Sequence, residues 1–390
     1  MVEPAPFDLA LIVVAASFFL AGMRIPAWCT TPIALLIIFL ACGAVGAVQT
    51  PALAGSLRHV VITAYLSVAT LFFGCFVYRD PERALKAIFS GYAAAAIIAV
   101  LAGIIGYFGF LDGASEIFTE RSRARGTFKD PNVFGPFLIL PALYAFYRLV
   151  EGAGKTTGWW ILVILLTTVG ILLSFSRGAW GHYVFSFALC AFLLLFCGST
   201  RRTRSRVLGS MAVLAVLIGI TLVGAISLDS VSTLFSERFQ LIQDYDIGGG
   251  YSRFDGQAFA LKQVLQHPLG LGAARFAELW QNTAPHNVYI YSFVIGGWVG
   301  GLAYLLLILL TAVAGLTALI RPSPLRGPAI VLVSTFFGLA LLGHVIDIDH
   351  WRHLYLLIGM IWGLAGHIIQ THGRAKASRI GGAAAYSRLG

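Results

Sequence analysis

Apolar runs separated by short polar segments account for most of the chain. Most of these runs approach or exceed the roughly 17–25 residues that an α-helix needs to cross a bilayer. The pattern therefore predicts an all-α polytopic membrane protein with about eleven transmembrane helices. The predicted helices fall near residues 7–23, 31–48, 60–78, 87–110, 133–150, 159–174, 179–198, 207–226, 287–319, 328–345 and 354–371.

Two of these predicted helices differ from the rest in length. The first is short and is followed by Arg24, and the ninth, at 287–319, is too long for one upright span. We expect Gly296 and Gly297 to break the ninth into two pieces, unless the whole helix tilts in the bilayer.

Residues 227–286 form one long polar interval between the predicted eighth and ninth helices. A loop of this length is uncommon unless it is functional or disordered. Apolar residues recur at helical spacing from Phe254 to Leu265, so we expect an amphipathic helix near 252–266 at the membrane surface. The expected organisation is an N-terminal bundle of helices 1–8 (1–226), the loop (227–286), helices 9–11 (287–372) and a basic tail (373–390).

The composition agrees with a membrane protein. Hydrophobic residues make up 58% of the sequence and charged residues 11%, whereas about a quarter of a soluble domain is charged. The net charge of +10 comes from short basic clusters between the apolar runs. These clusters are typical of cytoplasmic loops, so the charge indicates topology rather than a nucleic-acid partner.

The basic clusters also predict the orientation of the chain. The densest one, with four arginines in residues 201–206, is expected on the cytoplasmic side. Counting alternately from it places the N-terminus outside and the C-terminal tail inside. The insertion bias does not explain the basic residues that fall outside, and some of them should bind an anion. They are Arg121, Arg123, Arg125, Lys129, Arg177, Arg238, Arg253 and Arg275.

The first outer segment of interest runs from Arg125 to Asn132 and includes Lys129 and an Asp130-Pro131 pair. Asp130 is either a helix cap or part of a binding site. A cap does not account for Arg125 on the outer side. A cation beside the N-terminal amides of a helix makes a site for phosphate oxygens.

Two further outer segments contain candidate site residues, the segment 174–178 and the polar interval 227–286. Residues 174–178 predict a very tight turn, so Arg177 either snorkels to lipid head groups or belongs to a functional site. Arg253, in the first turn of the loop helix, has the same two interpretations. His286, at the start of the ninth helix, is either a solvated loop residue or a general base.

Histidines and aspartates also concentrate between the last two helices, from His344 to His353. This composition would suit a metal ion, but the spacing is irregular, and we predict no metal site. We instead expect a polar lining for the substrate, with Asp347 or His350 facing the same cavity.

Four blocks of sequence occur in a characteristic order. They are Arg125-Gly126-Thr127-Phe128-x-Asp130-Pro131-Asn132-x-Phe134-Gly135, then Ser174-x-Ser176-Arg177-Gly178, then Arg253 opening a helix that runs to His267-Pro268-Leu269-Gly270-Leu271-Gly272, then Pro285-His286-Asn287 with Gly296-x-x-x-Gly300. In order and spacing they resemble the O-antigen ligase and polymerase family over roughly residues 120–310. The helical layout, with one large loop late in the chain, also fits.

This resemblance implies a glycosyltransferase of the bacterial inner membrane with its site facing the periplasm. It would move a glycan from an undecaprenyl-pyrophosphate carrier to an acceptor hydroxyl, on lipid A core for a ligase or on another carrier-linked repeat for a polymerase. The family needs no metal or nucleotide, and its important residues map onto Arg177, Arg253 and His286, which we expect to be catalytic. The residues expected to bind substrate are Arg125, Lys129, Asp130, Asn132, Ser176, Asn287, Asp347 and His350.

The chemistry of these residue types agrees with the resemblance. Guanidinium groups bind phosphate oxygens in pairs and would stabilise a departing pyrophosphate, and histidine can deprotonate a hydroxyl. Ligase is slightly favoured over polymerase. A flippase or transporter of lipid-linked oligosaccharide is the alternative from another class, and it predicts internal repeats and charged or broken helices near the bilayer midplane. A structural scaffold would not explain the outer arginines.

Overall fold

The fold is almost entirely helical. The computed structural model describes residues 6–197, 201–228, 231–233, 235–236, 253–280 and 283–386. Within these ranges the sheet content is one short antiparallel hairpin, β1 (Thr119–Glu120) and β2 (Arg123–Ala124). The helices are α1 (Pro6–Leu20), α2 (Thr30–Val48), α3 (Leu53–Arg79), α4 (Pro81–Phe108), α5 (Ala114–Phe118), α6 (Pro131–Phe137), α7 (Ile139–Glu151), α8 (Thr157–Leu173), α9 (Arg177–Cys197), α10 (Arg201–Ile226), α11 (Arg253–Gln266), α12 (Ala273–Leu279), α13 (Val288–Ile320), α14 (Arg326–Leu342) and α15 (Arg352–Tyr386).

The apolar helices confirm a polytopic all-α fold. Nine helical segments in the described ranges are long and apolar enough to cross a membrane, and α6 and α7 together form one of them. The first and tenth predicted helices coincide with two shorter apolar helices, Phe7–Leu20 and Arg326–Leu342. The count of eleven therefore stays a prediction.

The predicted loop helix is present as α11, which begins at Arg253 and ends at Gln266. The rest of the predicted loop is only partly described, because residues 237–252 lie outside the described ranges. A second short helix, α12, follows α11 before the chain enters α13. The predicted separation of the chain into segments at 226, 286 and 372 remains a prediction.

The predicted break in the ninth helix is confirmed at Gly297, where α13 has φ 65° and ψ −163°. A break leaves main-chain groups without partners inside a membrane, where water cannot satisfy them. Here the segment after α11 fills the gap. The Trp298 N–H donates to the Pro268 carbonyl at 2.9 Å, and the Leu271 N–H donates to the Val294 carbonyl at 2.8 Å. A side chain at Gly297 would overlap that Pro268 carbonyl.

Small residues allow the closest helix contacts. Helix α15 packs along α3, and α13 packs along α2. Gly359 and Gly363 of α15 lie directly against the backbone of Thr70 and Gly74 in α3. This four-residue spacing of small side chains is typical of membrane helix interfaces, where close packing replaces the hydrophobic effect.

Replacing Gly359 by alanine is expected to destabilise the protein by about 1–3 kcal/mol, because an added methyl group overpacks the interface. The new Cβ would lie 2.5 Å from the Thr70 carbonyl oxygen, which belongs to a helix backbone and cannot move alone. The matched control is Gly91→Ala on the exposed side of α4, where a Cβ meets nothing within 4 Å. Thermal unfolding of the detergent-purified proteins should show a lowered midpoint for G359A only. Equal midpoints would contradict this interface.

Candidate functional site

Most of the polar residues singled out in the sequence that the structure describes lie at one end of the helix bundle, and Arg238 is outside the described residues. The ring of Phe137, at the end of α6, lies 6.3 Å from the ring of His353, at the start of α15. This contact connects the segments around α6 with those around α15. We refer to this end as the polar end. It contains the ends of α4, α8 and α14 and the starts of α3, α6, α9, α13 and α15, connected by the contacts described below.

The turn before Arg177 is held in one conformation by its own hydroxyl groups. The Ser174 hydroxyl accepts from the Ser176 N–H, and the Ser176 hydroxyl accepts from the Ala179 N–H, both at 3.3 Å. Phe175 between them is buried and has a positive φ of 45°. Ser176 therefore caps α9, and half-buried Arg177 is the first helical residue. A cation there lies beside the amide end of a helix, which favours an anion.

Arg123 joins this turn to the first outer segment. From strand β2 its Nε donates to the Ser174 carbonyl at 2.8 Å, and its Nη2 donates to Asn132 Oδ1 at 2.9 Å. The sequence placed Arg123 among the unexplained outer basic residues but did not assign it to the site. Its partner in the turn is 51 residues away, so no local pattern could have indicated the contact.

Arg125 braces the loop before α6. Its guanidinium donates to three main-chain carbonyls, those of Ile117 at 3.2 Å, Glu116 at 3.1 Å and Lys129 at 3.4 Å. These bonds engage a large share of the donors that a phosphate would need. Phosphate binding by Arg125 therefore stays a prediction. The hydrogen bonds show that Arg125 also stabilises the conformation of this loop.

Asp130 is a helix cap, which is one of the two roles that the sequence left open. Its Oδ1 accepts from the Asn132 N–H at 2.7 Å at the start of α6, with Pro131 in the first turn. The side chain of Lys129 is exposed. Substrate binding by Lys129, Asp130 and Asn132 stays a prediction.

His286 lies in a constrained loop conformation at the start of α13. Its φ is 54°, in the left-handed region that non-glycine residues rarely adopt. Asp347 holds this conformation, because its two carboxylate oxygens accept from the His286 N–H at 2.9 Å and the Asn287 N–H at 3.0 Å. Asn287 in turn caps α13, with Oδ1 accepting from the Tyr289 and Ile290 N–H groups. Backbone strain of this kind concentrates at functional sites.

The same carboxylate lies next to the imidazole of His286. The distance from Asp347 Oδ2 to His286 Nδ1 is 3.9 Å, and 30% of the histidine side chain is exposed. A carboxylate on the Nδ1 side favours a proton there and leaves Nε2 available as the base. The backbone of His286 also receives a long hydrogen bond from Gln257 Nε2 of α11, at 3.4 Å.

Arg253 is the first residue of helix α11, which contacts the same end of the bundle. The side chain of Arg253 lies outside the part that the structure describes. Phe259 packs this helix onto Trp280, with ring centroids 4.9 Å apart, whereas Phe254, Leu261 and Leu265 are exposed. An exposed apolar stripe suits a helix that lies on a membrane surface.

The residues between the last two helices go to separate places. Exposed His344 packs against the Tyr289 ring, and buried His353 packs against Trp351. Arg352 donates two hydrogen bonds of 2.6 Å to the buried carboxylate of Asp8 and so fastens α1 to the start of α15. The segment therefore does not form one polar lining.

His350 belongs to a compact group with Asp349 and with His59 of α3. His59 Nε2 lies 3.1 Å from Asp349 Oδ2, and the two imidazole rings are 3.8 Å apart. Burial would raise the pKa of Asp349, but the neighbouring His350 and His59 hold it below its ordinary value. The sequence missed His59, because it lies 290 residues before Asp349 in the chain and has no motif around it. A role of His350 in substrate binding stays a prediction.

Comparison with known proteins agrees with the resemblance seen in the sequence. Residues 162–305 match the protein-family model described as O-Antigen ligase. The matched region includes Arg177, Arg253 and His286, and it ends before Asp347. The search of curated proteins gave no match.

Proposed function

We propose that this protein is a membrane glycosyltransferase that moves a glycan from an undecaprenyl-pyrophosphate carrier to an acceptor hydroxyl on lipid A core, because residues 162–305 match the family model described as O-Antigen ligase. The observation that carries the proposal is the position of His286 beside the carboxylate of Asp347. This histidine lies within the matched region, and Asp347 from a distant segment fixes its backbone and faces its Nδ1.

In the proposed reaction His286 removes the proton of the acceptor hydroxyl through Nε2. The hydroxyl oxygen forms a new bond to the anomeric carbon of the glycan, and the bond from that carbon to the pyrophosphate oxygen breaks. The electron pair leaves with the pyrophosphate. Arg177 and Arg253 stabilise the charge that develops there, which lowers the barrier more than it strengthens ground-state binding.

The proposed location is the bacterial inner membrane, with the polar end at the periplasmic face, the N-terminus outside and the C-terminus in the cytoplasm. Nine apolar helical segments in the described ranges support a multi-pass protein. The outward-facing arginines are then close to the depth at which a carrier pyrophosphate lies, at the boundary between head groups and water.

The break in α13 gives less support to the alternative of a transporter. The break at Gly297 is near the start of α13, and the protein's own residues 268–271 occupy it. In transporters of this kind, discontinuous helices instead expose their ends to the substrate near the midplane.

The proposal predicts glycan transfer by the purified protein alone. Detergent-solubilised protein would be incubated with a carrier-linked glycan and lipid A core, and the products would be separated by gel and mass spectrometry. We expect glycan on the lipid A core and release of undecaprenyl pyrophosphate. Joining of two carrier-linked repeats would instead identify a polymerase. Movement of the intact carrier-linked glycan across a liposome membrane, without a covalent product, would contradict enzymatic function.

A further inference from the structure

We propose that His59, Asp349 and His350 bind a divalent transition-metal ion, with Zn²⁺ as the expected occupant. The three residues come from two parts of the chain, the first turns of α3 and the connection between α14 and α15. The proposal departs from the expectation of no metal site, which considered the segment from His344 to His353 without His59. Metal binding here does not depend on the proposed transfer reaction.

The spacing of the donor atoms suits a metal ion. Each residue offers one ligand atom, and the three atoms lie within 4.8 Å of one another. Zinc bonds of about 2.0–2.2 Å in a tetrahedral site put neighbouring ligand atoms about 3.3 Å apart. The pair His59 Nε2 and Asp349 Oδ2 is at 3.1 Å, and His350 Nε2 is 4.0 Å from the same oxygen. The first distance already matches this separation, and the second exceeds it by less than 1 Å.

The second observation is that two of these atoms are buried without a hydrogen bond. Asp349 is only 5% exposed. Its Oδ2 and the Nε2 of His59 have no hydrogen-bond partner, although they are 3.1 Å apart. The two atoms are therefore close enough for an ion pair but lack the alignment of a hydrogen bond. Buried polar atoms are normally hydrogen-bonded, and a metal ion bound to both atoms would satisfy them.

The ligand types select among metals. Two imidazoles and one carboxylate favour Zn²⁺ and other first-row transition metals, whereas Mg²⁺ and Ca²⁺ prefer oxygen ligands. Binding has to displace one contact, since the Thr63 hydroxyl lies 3.0 Å from His350 Nε2. That hydroxyl retains a second partner, the His59 carbonyl at 3.0 Å.

A metal ion at this position would stabilise the polar end of the bundle. Asp349 is two residues after Asp347, whose carboxylate holds the backbone of His286 and Asn287. The ion would tie this connection to α3. It would thereby support the His286 conformation without touching the reacting atoms.

The test is metal binding by protein purified without a polyhistidine tag and stripped with a chelator. Zn²⁺ is titrated by calorimetry in detergent, and Co²⁺ serves as an optical probe of the ligand set. We expect wild-type protein to bind one equivalent. His59→Ala and Asp349→Asn should each weaken Zn²⁺ binding by about 10–100-fold or more. Loss of a residue that only supports a metal ligand already weakens binding by about that factor.

His344→Ala is the matched control, because His344 is on the same connection, is exposed and lies outside the group. It should bind Zn²⁺ as the wild type does. Size-exclusion profiles establish that each variant is folded. Wild-type protein without saturable Zn²⁺ binding overturns the proposal, and so does a folded His59→Ala or Asp349→Asn variant that binds Zn²⁺ as tightly as wild type.

Discussion

Replacing His286 by alanine is expected to lower glycan transfer by about 10²–10⁴-fold, the usual contribution of a general base. Alanine removes the imidazole but keeps the backbone N–H that Asp347 binds. The loop should therefore keep its conformation, and the loss should appear in kcat with little change in KM. Rates are measured with purified protein, carrier-linked donor and lipid A core.

Two further variants separate the base from its support. Asp347→Asn keeps the size of the side chain, but its amide has one acceptor oxygen for the two N–H groups that the carboxylate now satisfies. We expect an intermediate loss of kcat for D347N and recovery in Asp347→Glu, which retains both oxygens. His344→Ala is the histidine control and should be active. A His286→Ala protein with wild-type kcat would remove this residue from the chemistry.

Local sequence patterns predicted the helices and the position of the break in α13. An apolar run long enough to span a bilayer has few alternatives to a helix, because its backbone must satisfy its own hydrogen bonds. Two adjacent glycines in the longest run indicated the break at Gly297 in the same local way. The Asp130 cap and the loop helix α11 were also predictable, since caps and helical periodicity involve residues within one or two turns.

Partnerships between distant residues were not predictable from these patterns. The carboxylate of Asp8 binds Arg352 across 344 residues, and His59 meets Asp349 across 290. Nothing near either residue in the sequence indicates its partner, because helix packing alone decides which side chains meet. For this reason the cluster from His344 to His353 was interpreted as one lining, whereas the structure assigns its members to different neighbours.

For the same reason the sequence indicates single candidate site residues but not the contacts that hold them, and the roles of these residues stay predictions. Motif spacing indicated Arg177 and His286, and both lie at the polar end in turns held by specific hydrogen bonds. The residues that hold those turns, Arg123 and Asp347, come from other segments. The polar composition of its own segment points to Asp347, whereas nothing near Arg123 in the sequence indicates the contacts it makes.

Replacing Arg177 by alanine is expected to lower kcat by about 10²–10³-fold, the cost of one lost donor to a developing negative charge. Arg177 is the first residue of α9, and the hydroxyls of Ser174 and Ser176 and the guanidinium of Arg123 hold the preceding turn. The variant should therefore fold. Arg177→Lys keeps the charge but lacks the planar fork that binds two phosphate oxygens, so it should recover only part of the rate.

The matched control for Arg177 is Arg275→Ala. Arg275 is also among the basic residues expected outside, but its guanidinium pairs with Glu278 at 2.9 Å on the short helix α12. If outward basic residues act only through general attraction of an anionic lipid, R177A and R275A should lose similar activity, and salt should weaken both equally. A loss of kcat confined to R177A, with partial recovery in R177K, would instead show that a guanidinium at the start of α9 contacts the departing pyrophosphate.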